Sequence, residues 1–253
     1  MRPARALRSR TMPTVPTTTV PIVVAHRGAS KTCRENTIEA FEEAKRQGAA
    51  MVELDVRRTS DGALVVHHNP MIAGLGVIAE HTHPQIPPHV PTLAMALDAC
   101  AGLDVNIEIK NDPAEPDFDA QEHIAAQVVE LLRKRADADR MLISSFRFET
   151  IDAIRAGNDR LRTGFLFTMP PLSPLRMKAM IRRTASAGHG AIHPYYRGVT
   201  RSMVEIAHEV DLHVNTWTVD DPRRMRTLAK LGVDALITNV PSVALDALGR
   251  MDR

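Results

Sequence analysis

From Pro21 onward, short apolar runs alternate with stretches whose apolar positions recur three and four residues apart. The runs are Ile22–Ala25, Met51–Asp55, Leu64–His67, Val105–Ile109, Met141–Ser144, Gly164–Phe167, Ala191–His193, Val214–Thr218 and Ala235–Thr238. Each reads as a strand, and the intervening segments, such as the one carrying Ile38, Phe41 and Ala44, read as amphipathic helices. Asn36, Thr92 and Asp220 or Asp221 (just before Pro222) stand where helix N-caps are expected. Gly48, Gly157 and Gly232 stand where helices should end. No internal repeat or linker interrupts the pattern. Strand–helix alternation of this kind implies parallel strands joined by right-handed crossovers.

Nine runs exceed the eight strands of a (β/α)8 barrel, and one spacing resolves the excess. Only eight residues separate Asp55 from Leu64, fewer than the dozen or so that a parallel crossover needs. They include Asp61-Gly62, a hairpin turn signal. Leu64–His68 therefore reads as the returning arm of a hairpin that extends the second strand. The remaining eight strands predict a single TIM barrel over 21–253. An open doubly wound sheet fits less well, because no Gly-x-Gly-x-x-Gly follows the first strand.

In a barrel of this type, chemistry gathers at the C-terminal ends of the strands. Those ends carry His26-Arg27-Gly28, Glu53-Leu54-Asp55, Glu108-Ile109-Lys110, Ser144-Ser145 and Trp217, the only tryptophan. Glu53 and Asp55 share one face of their strand, as do Glu108 and Lys110. Acids aimed at a barrel axis are costly unless paired or metal-bound. Three carboxylates from neighbouring strands with no cysteine beside them suit a hard divalent cation, Mg²⁺ or Ca²⁺. Salt-bridge partnership with Arg27, Arg57 or Lys110 is the competing explanation. A two-residue Asp61-Gly62 turn sets His68 opposite Asp55; a three-residue loop sets His67 there instead. Either register brings a histidine to the acids.

Composition narrows the partners. Aromatics are 4% of the chain, and the net charge of +2 is uneven. Arg2, Arg5, Arg8 and Arg10 lie in residues 1–20 with no acid, leaving 28 basic against 30 acidic residues in 21–253, a net of −2. The body is thus no nucleic-acid binder. Residues 1–20 lack the apolar core of a secretory signal and read as a disordered basic extension, with Met12 an alternative start. No apolar run is long enough to span a bilayer, and the expected address is cytoplasmic. Two cysteines, Cys33 and Cys100, exclude a disulfide framework. Nothing in the pattern sets an oligomeric state.

Taken in order, Val24-Ala25-His26-Arg27-Gly28-Ala29, Glu35-Asn36-Thr37, Glu53-Leu54-Asp55-Val56, Asp61-Gly62, Val65-Val66-His67-His68, Pro91-Thr92-Leu93, Asn106-Ile107-Glu108-Ile109-Lys110, Ser144-Ser145-Phe146 and Trp217-Thr218-Val219 resemble the glycerophosphodiester phosphodiesterase family over 22–241. The resemblance implies a phospholipase C-like phosphodiesterase TIM barrel. It also implies hydrolysis of a small-molecule glycerophosphodiester to sn-glycerol 3-phosphate and an alcohol. Carried over by position, His26 and His68 would be the acid–base pair. Glu53, Asp55 and Glu108 would hold a divalent metal, Mg²⁺ or Ca²⁺ with Mn²⁺ as a further candidate. Arg27 and Lys110 would meet the phosphate, and Trp217 would line the substrate wall.

The chain departs from the family pattern at several places. Arg34 replaces a proline before the Glu-Asn-Thr triplet, Asn69 replaces an aspartate after the hairpin histidine, His193-Pro194 stands for Asn-Pro, and Thr238-Asn239 stands for Thr-Asp. The capping insertion, 69–90, is short. Two other readings stay open: a phospholipase D-like barrel acting on lysophospholipid or sphingolipid, and a catalytically silent phosphate-binding barrel. His81-Thr82-His83 imitates a zinc-hydrolase motif but belongs to a Pro-rich segment expected to be a solvated loop. His123, His208 and His213 are expected to have no chemistry, and Cys33 to be a packed thiol.

Overall fold

The structure, a computed structural model, describes residues 20–168 and 173–249. The chain forms strands β1 (Ile22–His26), β2 (Met51–Arg58), β3 (Leu64–Val66), β4 (Met71–Ile72), β5 (Gly76–Val77), β6 (Asp104–Ile109), β7 (Met141–Ser145), β8 (Arg162–Phe167), β9 (Ala191–Pro194), β10 (His213–Thr216) and β11 (Ala235–Thr238). The helices are α1 (Ile38–Arg46), α2 (Leu93–Ala99), α3 (His123–Arg133), α4 (Phe148–Gly157), α5 (Pro174–Ser186), α6 (Arg201–His208), α7 (Pro222–Leu231) and α8 (Pro241–Gly249). Eight parallel strands run β1-β2-β6-β7-β8-β9-β10-β11, and β11 pairs back with β1 to close the barrel. The TIM barrel expected from the strand count is the fold observed. Most of residues 1–20, the expected basic extension, lies outside the described residues.

Strand alternation divides the side chains. Val52, Leu54 and Val56 of β2 face outward onto Phe41 and Ala44 of α1 and Leu93, Ala96 and Leu97 of α2. Met51 turns inward with Val24, Leu142, Ala235 and Ile237, so Glu53 and Asp55, at the same parity, point into the barrel. A second apolar shell joins the strands of the other half to α5–α8, with Ile192, Val214, Met225 and Leu228 at its centre. These two shells hold the mouth in place.

The caps agree with the sequence at Thr92, which accepts from Met95 N, and at Asp221, which accepts from Arg224 N. At α1 the cap is Thr37, not Asn36. Asn36 adopts a left-handed φ of 58° and sends its side chain to Asp55 instead. Gly48 and Gly232 take positive φ at helix ends as expected, whereas Gly157 is the last residue of α4 and the chain leaves through Asn158.

β3 pairs antiparallel with β2 in the longer-loop register: Val56 opposes Val66, Arg57 opposes Val65 and Arg58 opposes Leu64. His67 N donates to Asp55 O at 3.0 Å. β3 ends at Val66, and the chain then turns so that His68 still reaches the mouth. The segment after it carries short regular elements, while Thr82–Gln85 are exposed as expected of a solvated loop. β4 and β5 form a small hairpin, and Ile72, Ile78, Ile86 and Val90 pack with Val65 into a satellite core. His81 Nδ1 lies 2.9 Å from Val77 O within this segment, and His83 is exposed.

Candidate active site

The turn after β1 begins the site. Arg27 has φ 55° and Gly28 φ 80°. A Cβ on Gly28 would lie 2.6 Å from the Ala40 carbonyl carbon and oxygen, so only glycine lets this turn lie against α1. The turn aims Arg27 N at Glu53 Oε2, 2.9 Å away.

The triplet that follows divides its labour. Glu35 accepts two hydrogen bonds from Arg27 Nη1, at 3.1 and 3.0 Å. Asn36 Nδ2 donates to Asp55 Oδ2 at 2.8 Å, and its Oδ1 accepts from Asp55 N. Thr37 starts the helix. Sequence reading found the triplet but not what each member touches.

Glu53, Asp55 and Glu108 are all buried, and one carboxylate oxygen from each lies within 4.8 Å of the others. Two cations reach them. Lys110 Nζ bridges Glu108 Oε1 and Asp55 Oδ1 (the latter at 3.0 Å), and Arg27 Nε lies 3.1 Å from Asp55 Oδ2. Asp55 faces both, and although burial opposes ionisation, Lys110 and Arg27 hold its carboxyl well below the usual range. Among the described residues, Glu53 has no side-chain cation at that range. Burial, with Asp55 and Glu108 beside it, pushes its pKa well up, and Glu53 Oε1 has no hydrogen-bond partner among the described residues. Burial raises Glu108 as well, against the pull of Lys110. Three hard oxygens and an orphaned buried carboxylate atom fit a hard divalent cation held by Glu53, Asp55 and Glu108.

The histidines flank this cluster. His26 Nε2 is 4.0 Å from Glu53 Oε2, and its Nδ1 is 2.7 Å from Asn239 Oδ1. Burial, then Arg27, lowers its pKa to about 4. His68 Nδ1 lies 2.9 Å from Asn69 Oδ1, and burial followed by Lys110 lowers its pKa. Arg57, almost wholly buried, gives His68 O two hydrogen bonds, from Nε at 2.8 Å and Nη2 at 2.6 Å. Its Nη1 donates to Asp117 Oδ2 at 2.6 Å.

Six of these groups line one cavity of about 240 Å³, and Asp55 lies buried behind it against Glu53 and Glu108. His26, Arg27, Glu53, His68, Glu108 and Lys110 line its charged side, and Phe146, Leu166, Trp217 and Ile237 its apolar side. Trp217 lies one residue past β10, its indole fixed by a 2.8 Å hydrogen bond from Nε1 to His193 O and its ring edge-on to Phe146. Seven of the eight site residues expected from the sequence thus line one cavity, and the eighth, Asp55, is buried within the carboxylate cluster. Asn36, Arg57 and Asn239 were not singled out as site residues; Asn239 was visible only as a departure from the family pattern.

A sequence model of the glycerophosphoryl diester phosphodiesterase family matches residues 26–82 and 72–243. The chain belongs to that family. It is accordingly an enzyme of the phosphodiesterase hydrolases. A glycerophosphodiester phosphodiesterase from Caldanaerobacter subterraneus subsp. tengcongensis is 29% identical over 249 residues, covering 89% of this chain and 96% of its own. A Silicibacter pomeroyi DSS-3 crystal structure named for the same family superposes with TM-score 0.83 at 29% identity, covering 92% of this chain and 94% of its own. An Oleispira antarctica phosphodiesterase, solved in complex with the product sn-glycerol-3-phosphate, shares the fold at TM-score 0.80 and 23% identity, covering 91% of this chain and 97% of its own.

Proposed function

We propose that this glycerophosphodiester phosphodiesterase family member hydrolyses a small glycerophosphodiester to sn-glycerol 3-phosphate and an alcohol. His26 and His68 move the protons, and Glu53, Asp55 and Glu108 hold a divalent cation, Mg²⁺, Ca²⁺ or Mn²⁺. One observation carries the reading: two imidazoles, two carboxylates and two cationic side chains line a single cavity at the barrel mouth, with the buried Asp55 carboxylate clustered beside Glu53 and Glu108. The Oleispira relative's product complex is consistent with the same substrate class.

A phosphodiester anion repels nucleophiles and has a poor alkoxide leaving group. When bound, the cation would neutralise charge that builds on the phosphoryl oxygens. Arg27 and Lys110, already fixed by Glu35, Asp55 and Glu108, would present positive charge to the same oxygens. His26, kept neutral by burial, is suited to accept the proton of the attacking hydroxyl. His68, on the hairpin side of the cavity, would act in its protonated form, which Asp55 favours against burial and Lys110. It would give its proton to the leaving oxygen as the P–O ester bond breaks and regain one from solvent, to which His26 releases the proton it took. Trp217 and Phe146 would pack against the carbon skeleton.

The test is coupled release of glycerol 3-phosphate from a panel of head groups, with His26→Ala and His68→Ala alongside. Each substitution should lower kcat by about 10²–10⁴-fold while the fold persists. Undiminished turnover in both variants overturns the assignment. Glycerol 3-phosphate binding without turnover by the wild type would leave a silent phosphate-binding barrel. A second reading, cleavage of a lysophospholipid, draws on the Phe146 ring, which is 39% exposed at the cavity edge. Release of choline with a lysophosphatidic product would establish it.

A further inference from the structure

His26 is tied at its far nitrogen to a pair of residues that the family resemblance does not assign. Its Nδ1 is 2.7 Å from Asn239 Oδ1. Either tautomer could in principle occupy that contact, because an amide offers both a donor and an acceptor. The surroundings of Asn239 remove the choice. Its Nδ2 lies 2.7 Å from Asp220 Oδ2, and its backbone N donates to Asp220 Oδ1 at 2.9 Å. Asp220 Oδ1 also accepts from Thr238 Oγ1 at 3.0 Å. A carboxylate only accepts, so the amide nitrogen must point to Asp220 and the amide oxygen to His26. Ser30 Oγ, 2.8 Å from both Asn239 Oδ1 and His26 O, stands on the oxygen side.

An oxygen acceptor at Nδ1 requires the proton there and leaves the Nε2 lone pair facing the cavity and Glu53. From this chain we infer that Asn239 is a positioning residue: with its amide polarity set by Asp220, it locks His26 in the Nδ1–H tautomer. The inference rests on the reading of His26 as the reacting imidazole. It also explains how the chain tolerates its departure at 239. An aspartate there, with Asp220 unchanged, would set two carboxylates at the 2.7 Å now spanned by the Asn239–Asp220 hydrogen bond. The two positions are therefore matched, one amide and one carboxylate, and exchanging them should preserve the geometry. In the exchanged pair the position-220 amide nitrogen donates to the position-239 carboxylate, which still accepts from His26.

The experiment uses the full chain with ¹⁵N-labelled histidine. Ring ¹⁵N shifts near neutral pH report which His26 nitrogen carries the proton, and His26→Ala assigns the signal. Steady-state kinetics on a glycerophosphodiester run in parallel. Wild-type protein should show Nδ1–H alone. Asn239→Ala should admit the Nε2–H form and lower kcat by about 10- to 100-fold, with KM within a few-fold of wild type. Asn239→Asp should be impaired as well, and the exchange variant Asp220→Asn/Asn239→Asp should recover the Nδ1–H signal and most of kcat. Circular dichroism establishes that each variant is folded. An Nε2–H tautomer in the wild type overturns the inference. So does an Asn239→Ala protein with unchanged tautomer and kcat, or an exchange variant no better than Asn239→Asp. A wild-type protein that shows Nδ1–H but turns over no glycerophosphodiester overturns the functional reading and leaves the positioning intact.

Discussion

His193 lies on the inner face of the barrel, 1% exposed, with the Asn215 side-chain nitrogen 3.0 Å from its Nε2 and no partner at Nδ1 among the described residues. Gly164 makes room for it: a Cβ there would stand 2.6 Å from His193 Nε2. Burial lowers the His193 pKa to about 3, so the folded protein keeps this ring neutral. The unfolded chain, with an ordinary value near 6.5, takes up a proton sooner as pH falls. The folded pKa is thus the depressed one, and its contribution to stability is complete above about pH 6.5 and drains as pH falls toward 3. Between pH 6.5 and 5 this one group should remove about 2 kcal/mol. Urea denaturation across that range should show a slope that flattens by about one proton in His193→Asn. Equal slopes for the two proteins would mean that the imidazole is protonated inside the barrel.

The hairpin of β2 and β3 shows what an element owes to contacts that local sequence does not display. Its existence is legible from spacing and Asp61-Gly62, but the sequence allows two registers. Thr59 N donates to Ala63 O and Thr59 Oγ1 accepts from Ala63 N, both at 2.9 Å, closing a loop longer than the turn dipeptide alone suggests. Asp61 also accepts from His83 N, a residue of the following segment. The α1 cap was misplaced for a similar reason: Asn36 and Thr37 are both good caps, and Asp55 claims Asn36. Eight strands, their order and the acidic cluster were legible because alternation and strand-end position are local properties. Arg57 was not, because its partners lie 11 to 60 residues away in sequence, after β3 and after β6. Its guanidinium joins the hairpin, through His68 O, to Asp117 and Glu115 of the loop after β6. Arg57→Met should leave Asp117 a buried charge without its cation, costing about 3–5 kcal/mol. It should also lower kcat by freeing the peptide of His68. Arg57→Lys should recover part of the stability but less of the activity, since one ammonium cannot reproduce the two-nitrogen grip on a single carbonyl. Thermal melts and kcat on the same preparations test this; a Met variant with wild-type melting and turnover would show that the clamp is idle.

Across the whole molecule, stability and chemistry are set at different radii. The apolar shells between strands and helices carry the fold, while the mouth concentrates three buried carboxylates against two cations. Such an excess costs stability in the absence of a further positive charge, and Glu53, the carboxylate without a side-chain cation in close contact among the described residues, bears most of it. A divalent cation bound only by the folded state should offset this by mass action, about 2.7 kcal/mol at one hundred times its Kd. For a chain of this size that corresponds to a rise in melting temperature on the order of 5–10 °C. Glu53→Gln separates the two effects. With chelator present it should melt no lower than the wild type, because the replaced carboxyl is already driven toward its neutral form. With Mg²⁺, Ca²⁺ or Mn²⁺ added, the wild type should gain stability and the variant should gain little. If both proteins respond alike to the cations, Glu53 is not a ligand. If the variant melts well below the wild type in chelator, the carboxylate is held by partners stronger than the Arg27 amide and its place in the cluster is structural.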